Sequence, residues 1–165
     1  MFARILVAVG FGRSTGVAVE DGLRLAAELN AQVTFVHVVT SFDLPIVEAP
    51  AQAYLTPDEL RAGLGAAAAA VLASAMAQAK AHGIDARCAA ISGVSIARPL
   101  SEFAREEGCE FIVAGSSERT WWRRLFGTSV ASTLADITDM PIWVSSQHPW
   151  REGGNFASRR ALAPR

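Results

Sequence analysis

The sequence contains little cysteine. Its two cysteines, Cys88 and Cys109, are too few for a secreted scaffold held by disulfides, and their spacing does not match that of a metal site. Both fall in or beside segments that we predict to be strands. We therefore expect two buried free thiols, because an unpaired cysteine packs as a small apolar residue.

An excess of charge of one sign is also missing. The 165 residues carry a formal net charge of −1, which argues against a protein built mainly to bind nucleic acid or an anionic membrane. Hydrophobic residues make up 51% and charged residues 19% of the chain, a globular rather than a disordered composition. The length is sufficient for one domain with a substantial core.

Long hydrophobic runs are absent as well. The N-terminal segment lacks the charged leader, apolar stretch and cleavage site of a signal peptide. The longest apolar stretch, residues 64–77, is alanine-rich and shorter than the roughly 20 residues that a membrane span needs. On these grounds we expect a cytoplasmic protein with no membrane span.

Short apolar runs alternate with segments of helical period. Strands are predicted at residues 4–9, 31–39, 86–92, 109–115 and 141–146, and helices at 15–30, 57–82, 95–107 and 128–137. Thr15 is the expected N-cap of the first helix, and Pro57 and Gly83 bound the second. The alternation predicts a single α/β domain over residues 1–146, with a parallel sheet and helices on both faces. Residues 147–165 lack periodicity, and we expect a flexible tail.

Ligands of such sheets bind beyond the carboxyl ends of the strands, which directs attention to the loops after the first and fourth strands. Several phosphate-binding patterns fail there. Gly127-Thr128 has no lysine nearby, as a P-loop requires. Gly10 and Gly93 stand where a receiver domain would need acids to hold magnesium. The segment 10–16 is one residue too long for a dinucleotide fingerprint, and the acid expected after the second strand is missing, so its glycines are interpreted as turning the chain.

The sequence also lacks a recognisable catalytic constellation. Of the three histidines, only His37 falls near the ligand edge of the sheet, and a histidine within a strand is interpreted as structural. No pair of carboxylates falls at the strand ends, so a two-carboxylate mechanism has no support.

What the loop after the fourth strand does contain is hydroxyls, arginines and glycines. The residues in question are Gly115, Ser116, Ser117, Arg119, Arg123, Arg124, Gly127, Thr128 and Ser129. Gly127 to Ser129 open a helix, whose free amides attract anions. Two interpretations stay open: a phosphate site, or a plain helix cap beside solvated arginines. Two interpretations also stay open for Trp121 and Trp122: a patch that binds a partner, or side chains that pack beneath the loop.

Four segments taken in order resemble the universal stress protein family. They are "RILVAV", "LRLAAELNAQVTFVHVV", "EEGCEFIVAGSS" and "RRLFGTSVASTLADITDMPIWV". The resemblance implies a five-stranded parallel sheet in the order 3-2-1-4-5. It also implies a homodimer formed through strand five, at Ile142, Trp143 and Val144. An apolar edge strand of this kind needs a cover or a partner.

The resemblance further implies that some members bind ATP or a related nucleotide through Gly-x-x-Gly, nine residues, then Gly-Ser/Thr, with an Asp after strand one. Gly115, Gly127 and Thr128 match that pattern. Gly10 replaces the Asp, Glu118 replaces the second Gly, and only eight residues separate position 118 from Gly127. We therefore expect a degenerate nucleotide or phosphate site. Its candidate residues are Val9, Gly10, Val39, Gly115, Ser116, Ser117, Gly127, Thr128 and Ser129.

Two functions follow from the resemblance. The first is a non-enzymatic stress-response regulator, a homodimer that binds an unknown protein partner and requires no cofactor. The alternative is an ATP- or AMP-binding member, with magnesium, in which the ligand gates partner binding or is slowly hydrolysed.

Overall fold

The computed structural model describes residues 4–40, 57–115 and 130–145. Within these ranges, strands and helices alternate as the sequence predicts. The elements are β1 (Arg4–Ala8), α1 (Arg13–Leu29), β2 (Gln32–Thr40), α2 (Pro57–Ala81), β3 (Ala86–Gly93), α3 (Ala97–Glu106), β4 (Phe111–Gly115), α4 (Val130–Ile137) and β5 (Ile142–Ser145). The predicted tail, residues 147–165, lies outside the described residues.

The five strands form one parallel sheet in the order β3-β2-β1-β4-β5, which confirms the predicted fold class. β1 is the central strand, and its Val7 pairs with Phe35 of β2 and with Val113 of β4. Helices α1 and α2 cover one face of the sheet, and α3 and α4 cover the other.

Successive residues of β1 enter opposite halves of the core. Ile5 and Val7 are fully buried on the face that α1 and α2 cover. Leu6 is fully buried on the other face, together with Leu100 of α3 and Leu134 of α4. Each such side chain contributes roughly 1.5–3 kcal/mol through burial. Apolar packing thus fills both faces of the sheet and leaves polar chemistry to the strand ends.

Helix α2 covers β2 and β3 through small side chains. Among residues 63–81, whose side chains the structure describes, the buried ones are Ala68, Leu72, Ala75 and Ala79. By length and composition alone, Gly63–Ala81 would be long and apolar enough to cross a membrane, a longer stretch than the apolar run at 64–77 indicates. In this fold the same stretch supplies one layer of the core, because its buried positions recur at helical spacing over the sheet.

The two cysteines differ in exposure, so the expectation of two buried thiols is half wrong. Cys109 is buried as predicted, and burial, together with the negative charge of Glu107, raises the pKa of its thiol. Cys88 is exposed. It lies in β3, which pairs only with β2 among the described strands, and every residue of this outer strand is exposed or half-buried.

Candidate functional site

The carboxyl ends of β1 and β4 lie side by side. Because Val7 pairs with Val113, the chain reaches Val9 and Gly115 at the same level of the sheet. From β1 the strand order proceeds to β2 and β3 on one side and to β4 and β5 on the other. This is the reversal of strand order at which open α/β sheets bind ligands. The fold therefore brings together two of the sequence-predicted site segments, the turn after β1 and the end of β4.

The turn after β1 is closed by its own hydrogen bonds. The Val9 N–H donates to the Val36 carbonyl at 2.9 Å, which extends the ladder beyond β1. The Gly10 N–H donates to Thr15 Oγ1 at 3.0 Å. The predicted role of Thr15 as N-cap is therefore wrong. Helix α1 starts at Arg13, and its N-cap is Gly12, which makes no side-chain cap bond. The Thr15 hydroxyl instead accepts the hydrogen bond from Gly10, just after β1.

His37 also forms a hydrogen bond to this turn. Its Nδ1 lies 2.7 Å from the Val9 carbonyl oxygen, and the residue is 3% exposed. A carbonyl oxygen can only accept a hydrogen bond, so Nδ1 carries the proton in this contact. His37 therefore has a specific structural role, since it satisfies the carbonyl of Val9, the first residue after β1.

Phe11 occupies the tip of the turn. Its ring centre lies 4.6 Å from that of His37, with the planes inclined at 61°, an edge-to-face contact. The side chain of Phe11 is nevertheless 41% exposed. Phe11 is not among the candidate residues predicted from the sequence, although a large apolar side chain between two glycines in a ligand loop was a usable signal.

Gly115 has a structural neighbour that sequence reasoning did not foresee. A Cβ at this position would lie 2.7 Å from the Ser14 carbonyl oxygen and 3.0 Å from the Ser14 carbonyl carbon. Real Cβ atoms do not approach backbone so closely, and the missing side chain therefore lets the first turn of α1 pack on the end of β4. The close approach that a glycine permits is made here by the backbone of Ser14.

The carboxyl ends of β2 and β5 lie on the same side of the sheet as those of β1 and β4. Val39 is half-buried and pairs with Ser92, near the end of β2. Ser145 ends β5, pairs with Gly115 and is 1% exposed. Within the described part of the chain, the Ser145 Oγ is a buried side-chain atom without a hydrogen-bond partner. An unsatisfied buried hydroxyl typically costs about 1–3 kcal/mol, and the sequence offered no signal for it.

The other candidate residues lie outside the described residues. These are Ser116, Ser117, Gly127, Thr128 and Ser129, together with Glu118 and the tryptophans at 121 and 122. Among the residues that the structure describes, no group of three or more His, Cys, Asp or Glu side chains could hold a metal ion.

The three residues expected at a dimer contact have different surroundings. Ile142 is buried, and Trp143 is half-buried with its Nε1 donating to Asp21 Oδ2 of α1 at 3.2 Å. Val144 is 40% exposed. Of these three side chains, Val144 is therefore the most exposed, whereas Ile142 and Trp143 pack against their own domain.

A family model for the universal stress proteins matches residues 1–146. The chain belongs to the universal stress protein family. Among solved structures it is similar to a universal stress protein family member from Burkholderia pseudomallei, with 25% identity, a TM-score of 0.68, and coverage of 87% of this chain and 95% of the other. No curated protein matches the sequence.

Two other similar structures contain nucleotides. One is a universal stress protein in complex with cAMP, with 22% identity, a TM-score of 0.61, and coverage of 87% of this chain and 96% of the other. The second is from Archaeoglobus fulgidus in complex with dAMP, with 14% identity, a TM-score of 0.59, and coverage of 87% and 98%. At these identities the likeness shows the shared universal stress protein fold.

Proposed function

We propose that this universal stress protein is a non-enzymatic, cytoplasmic regulator that acts as a homodimer on a protein partner, and that its nucleotide site is degenerate. The turn after β1 is the main support for a degenerate site. Gly10 supplies no carboxylate for a sugar or a magnesium ion, and its N–H is already bonded to Thr15. A ligand that reaches this turn therefore meets neither an anionic side chain nor a free amide at Gly10.

The sequence of the loop after β4 supports the same conclusion. Glu118 stands where the nucleotide-binding pattern has Gly. A carboxylate roughly 4 Å from a phosphate charge costs about 4 kcal/mol at a surface-like effective dielectric, which offsets much of what one of the nearby arginines contributes. The loss grows with the charge of the ligand, so a triphosphate is disfavoured more than a monophosphate.

The homodimer is proposed through β5. Among the described strands, β5 pairs only with β4, so its other edge offers main-chain donors and acceptors. Val144 is exposed beside that edge, and Ile137 at the end of α4 is 46% exposed. A short edge strand with exposed apolar neighbours favours pairing with a second copy.

A second candidate function is AMP or ATP binding, with magnesium, in which the ligand gates partner contact or is slowly hydrolysed. The two nucleotide-containing relatives favour it, since the structures of similar fold hold cAMP and dAMP.

Calorimetry with magnesium-ATP separates the two functions. We expect no saturable micromolar binding by the wild-type protein and a gain of affinity in Glu118→Gly. Glu110→Gly removes the same charge at the amino end of β4 and is the matched control, with no gain expected. Saturable micromolar binding by the wild type, abolished by Gly127→Asp, would reject the degenerate site.

Light scattering tests the dimer. The expected mass is twice the 17.5 kDa chain mass. Val144→Lys places a charge on the proposed edge and is expected to yield monomer, whereas Val94→Lys, at an 86% exposed position after β3, is not. A wild-type protein that stays monomeric at high concentration would remove the interface.

A further inference from the structure

Strand β3 is the long outer edge of the described sheet. It has eight residues, whereas β5 at the other outer edge has four, and it pairs only with β2 among the described strands. Its pairing with β2 is continuous from Ala86 to Gly93, so no bulge interrupts the strand along these residues. Natural edge strands are commonly short, bulged, or protected by proline or several charges, and β3 has no proline and one charge. Its outer row of main-chain donors and acceptors is therefore suited to pairing with another strand.

Arg87 is the charged residue of β3, and its side chain is exposed. Within the described part of the chain, its guanidinium forms no ion pair and no hydrogen bond. It lines a polar depression at the amino end of the sheet, where Arg4 and Gln32 already donate hydrogen bonds to other groups of the depression. A carboxylate that approaches from outside therefore meets in Arg87 a cation whose donors are available, and charge-assisted bonds of this kind are strong.

The other side chains of β3 define what an added strand would meet. Ile91 is partly buried and packs against the core on the face that α3 and α4 cover. Because side chains alternate along a strand, Arg87, four residues earlier, lies on that same face. The remaining residues are small, and they are Ala86, Cys88, Ala89, Ala90, Ser92 and Gly93. An added strand thus meets a cation and an apolar side chain four residues apart on one face, and little bulk elsewhere.

Charge decides which kind of strand fits this edge. A second copy of the chain, paired along the whole of β3, brings no carboxylate opposite Arg87, because β3 contains no acid. Residues 147–165 contain four arginines and one glutamate, a net positive charge that Arg87 repels. Opposite charges on directly opposed residues stabilise strand pairing. The edge therefore favours a segment of another protein that carries an acidic side chain.

We propose that the outer edge of β3 binds an extended segment of a partner protein by strand addition, with an acidic side chain opposite Arg87 and an apolar side chain beside Ile91. In this mode main-chain hydrogen bonds supply the affinity and the side-chain pairs supply the specificity. The proposal rests on the proposed function in that a protein partner is bound. It adds the surface, which is separate from the β5 edge, and the chemistry of the partner.

The probe is a synthetic nine-residue peptide, capped at both ends, with glutamate at the centre, valine at each end and threonine elsewhere. Its sequence reads the same in both directions, so it offers the acid to Arg87 and a valine to Ile91 whether the added strand runs parallel or antiparallel. A second peptide has lysine in place of glutamate. Binding of each labelled peptide to the full chain is measured by fluorescence anisotropy.

Arg87→Glu is expected to weaken binding of the glutamate peptide roughly 2- to 30-fold and to strengthen binding of the lysine peptide, because an attractive cross-strand pair becomes a repulsive one and the reverse. Arg105→Glu makes the same change at an exposed position of α3 and should alter neither affinity. Thermal unfolding verifies that both variants are folded, which the exposure of the two arginines favours.

Two further measurements locate the peptide. Cys88 is exposed and Cys109 is buried, so a maleimide labels Cys88 selectively, and the bound glutamate peptide should slow that labelling. The main-chain donors of a strand point alternately to its two sides. N-methylation of one alternate set of peptide residues should therefore abolish binding, and N-methylation of the other set should retain it.

The outcomes separate this inference from the homodimer on which the proposed function depends. Absence of saturable binding of the glutamate peptide up to millimolar concentrations overturns strand addition, and so does binding that Arg87→Glu leaves unchanged or that both N-methylated peptides retain. Binding that Val144→Lys abolishes and Arg87→Glu does not would assign the peptide to β5 and also overturns it. In each case a dimer in light scattering stands. A monomeric wild type that binds the glutamate peptide through Arg87 supports the β3 site and rejects the homodimer.

Discussion

The two ends of the sheet use their polar groups differently. At the amino ends, polar and charged side chains line a depression and bond to one another or to backbone. Arg4 Nη1 donates to the Glu107 carbonyl, and Gln32 Nε2 donates to Asp85 Oδ2, both at 2.7 Å. These contacts are exposed. At the carboxyl ends, glycines bring backbone segments into contact, and buried groups such as His37 support the turn.

This difference predicts at which end of the sheet substitutions should change the free energy of unfolding. Exposed hydrogen bonds exchange with water and contribute little to stability, whereas a buried bond or a tight backbone contact cannot be replaced by solvent. The carboxyl end is therefore expected to be sensitive to single changes and the amino end tolerant. Four substitutions test this contrast by their effect on the free energy of unfolding, measured in urea.

The largest effect is expected for His37→Ala. It leaves a cavity and an unpaired buried Val9 carbonyl, and should lower the free energy of unfolding by about 3 kcal/mol. The control is His82→Ala, at an exposed position after α2, with a change within about 0.5 kcal/mol. Equal effects of the two substitutions would mean that the bond to Val9 does not hold the turn.

Gly115→Ala comes next. The new Cβ would meet the Ser14 backbone at 2.7 Å, and the resulting shift of α1 is expected to cost about 2 kcal/mol. Gly16→Ala is the matched control, because a Cβ there has nothing within 4 Å and lies in α1. It should stabilise by roughly 0.5–1 kcal/mol through helix propensity. A neutral Gly115→Ala would show that α1 does not require this glycine.

Ser145→Ala is expected to have a smaller effect of opposite sign. Removing a buried hydroxyl that has no partner should raise the free energy of unfolding by about 1 kcal/mol. Ser92→Ala, at an exposed position in β3, is the control and should stay within about 0.5 kcal/mol. Destabilisation by Ser145→Ala would mean that the hydroxyl is bonded in solution.

The smallest effect is expected at the amino end. Gln32→Ala removes the exposed bond to Asp85 and should change the free energy of unfolding by no more than about 0.5 kcal/mol. A decrease of the free energy of unfolding by more than about 1 kcal/mol would contradict the expected tolerance of the amino end of the sheet.

The fold was predictable because its local signals agree. Continuous apolar runs appear where strands are covered on both faces, as in β1. Pro57 marks the start of α2, and Gly83, with a φ of +67°, follows its end. The predicted alternation of strands and helices restricts the topology to a parallel sheet, and the resemblance implied the strand order that the structure has.

The details of the site were less predictable, because they depend on which segments meet. Thr15 has the side chain of an N-cap, but its hydroxyl accepts from Gly10 instead of capping α1. Gly115 matches the first Gly of the nucleotide-binding pattern, but in the structure the first turn of α1 packs on it. Cys88 lies in an apolar strand pattern, and it is exposed in β3, the outer strand of the described sheet beside β2.

By itself, the sequence determined the periodicities, the helix boundaries at Pro57 and Gly83, and the motifs that indicate the family, because each depends on neighbouring residues along the chain. The tertiary structure decided which strand is an edge, what Gly115 packs against and how Phe11 rests on His37. Trp143 and Asp21, 122 positions apart, show the reason: their hydrogen bond exists only because the strand order places β5 beneath α1, and no local pattern encodes that meeting.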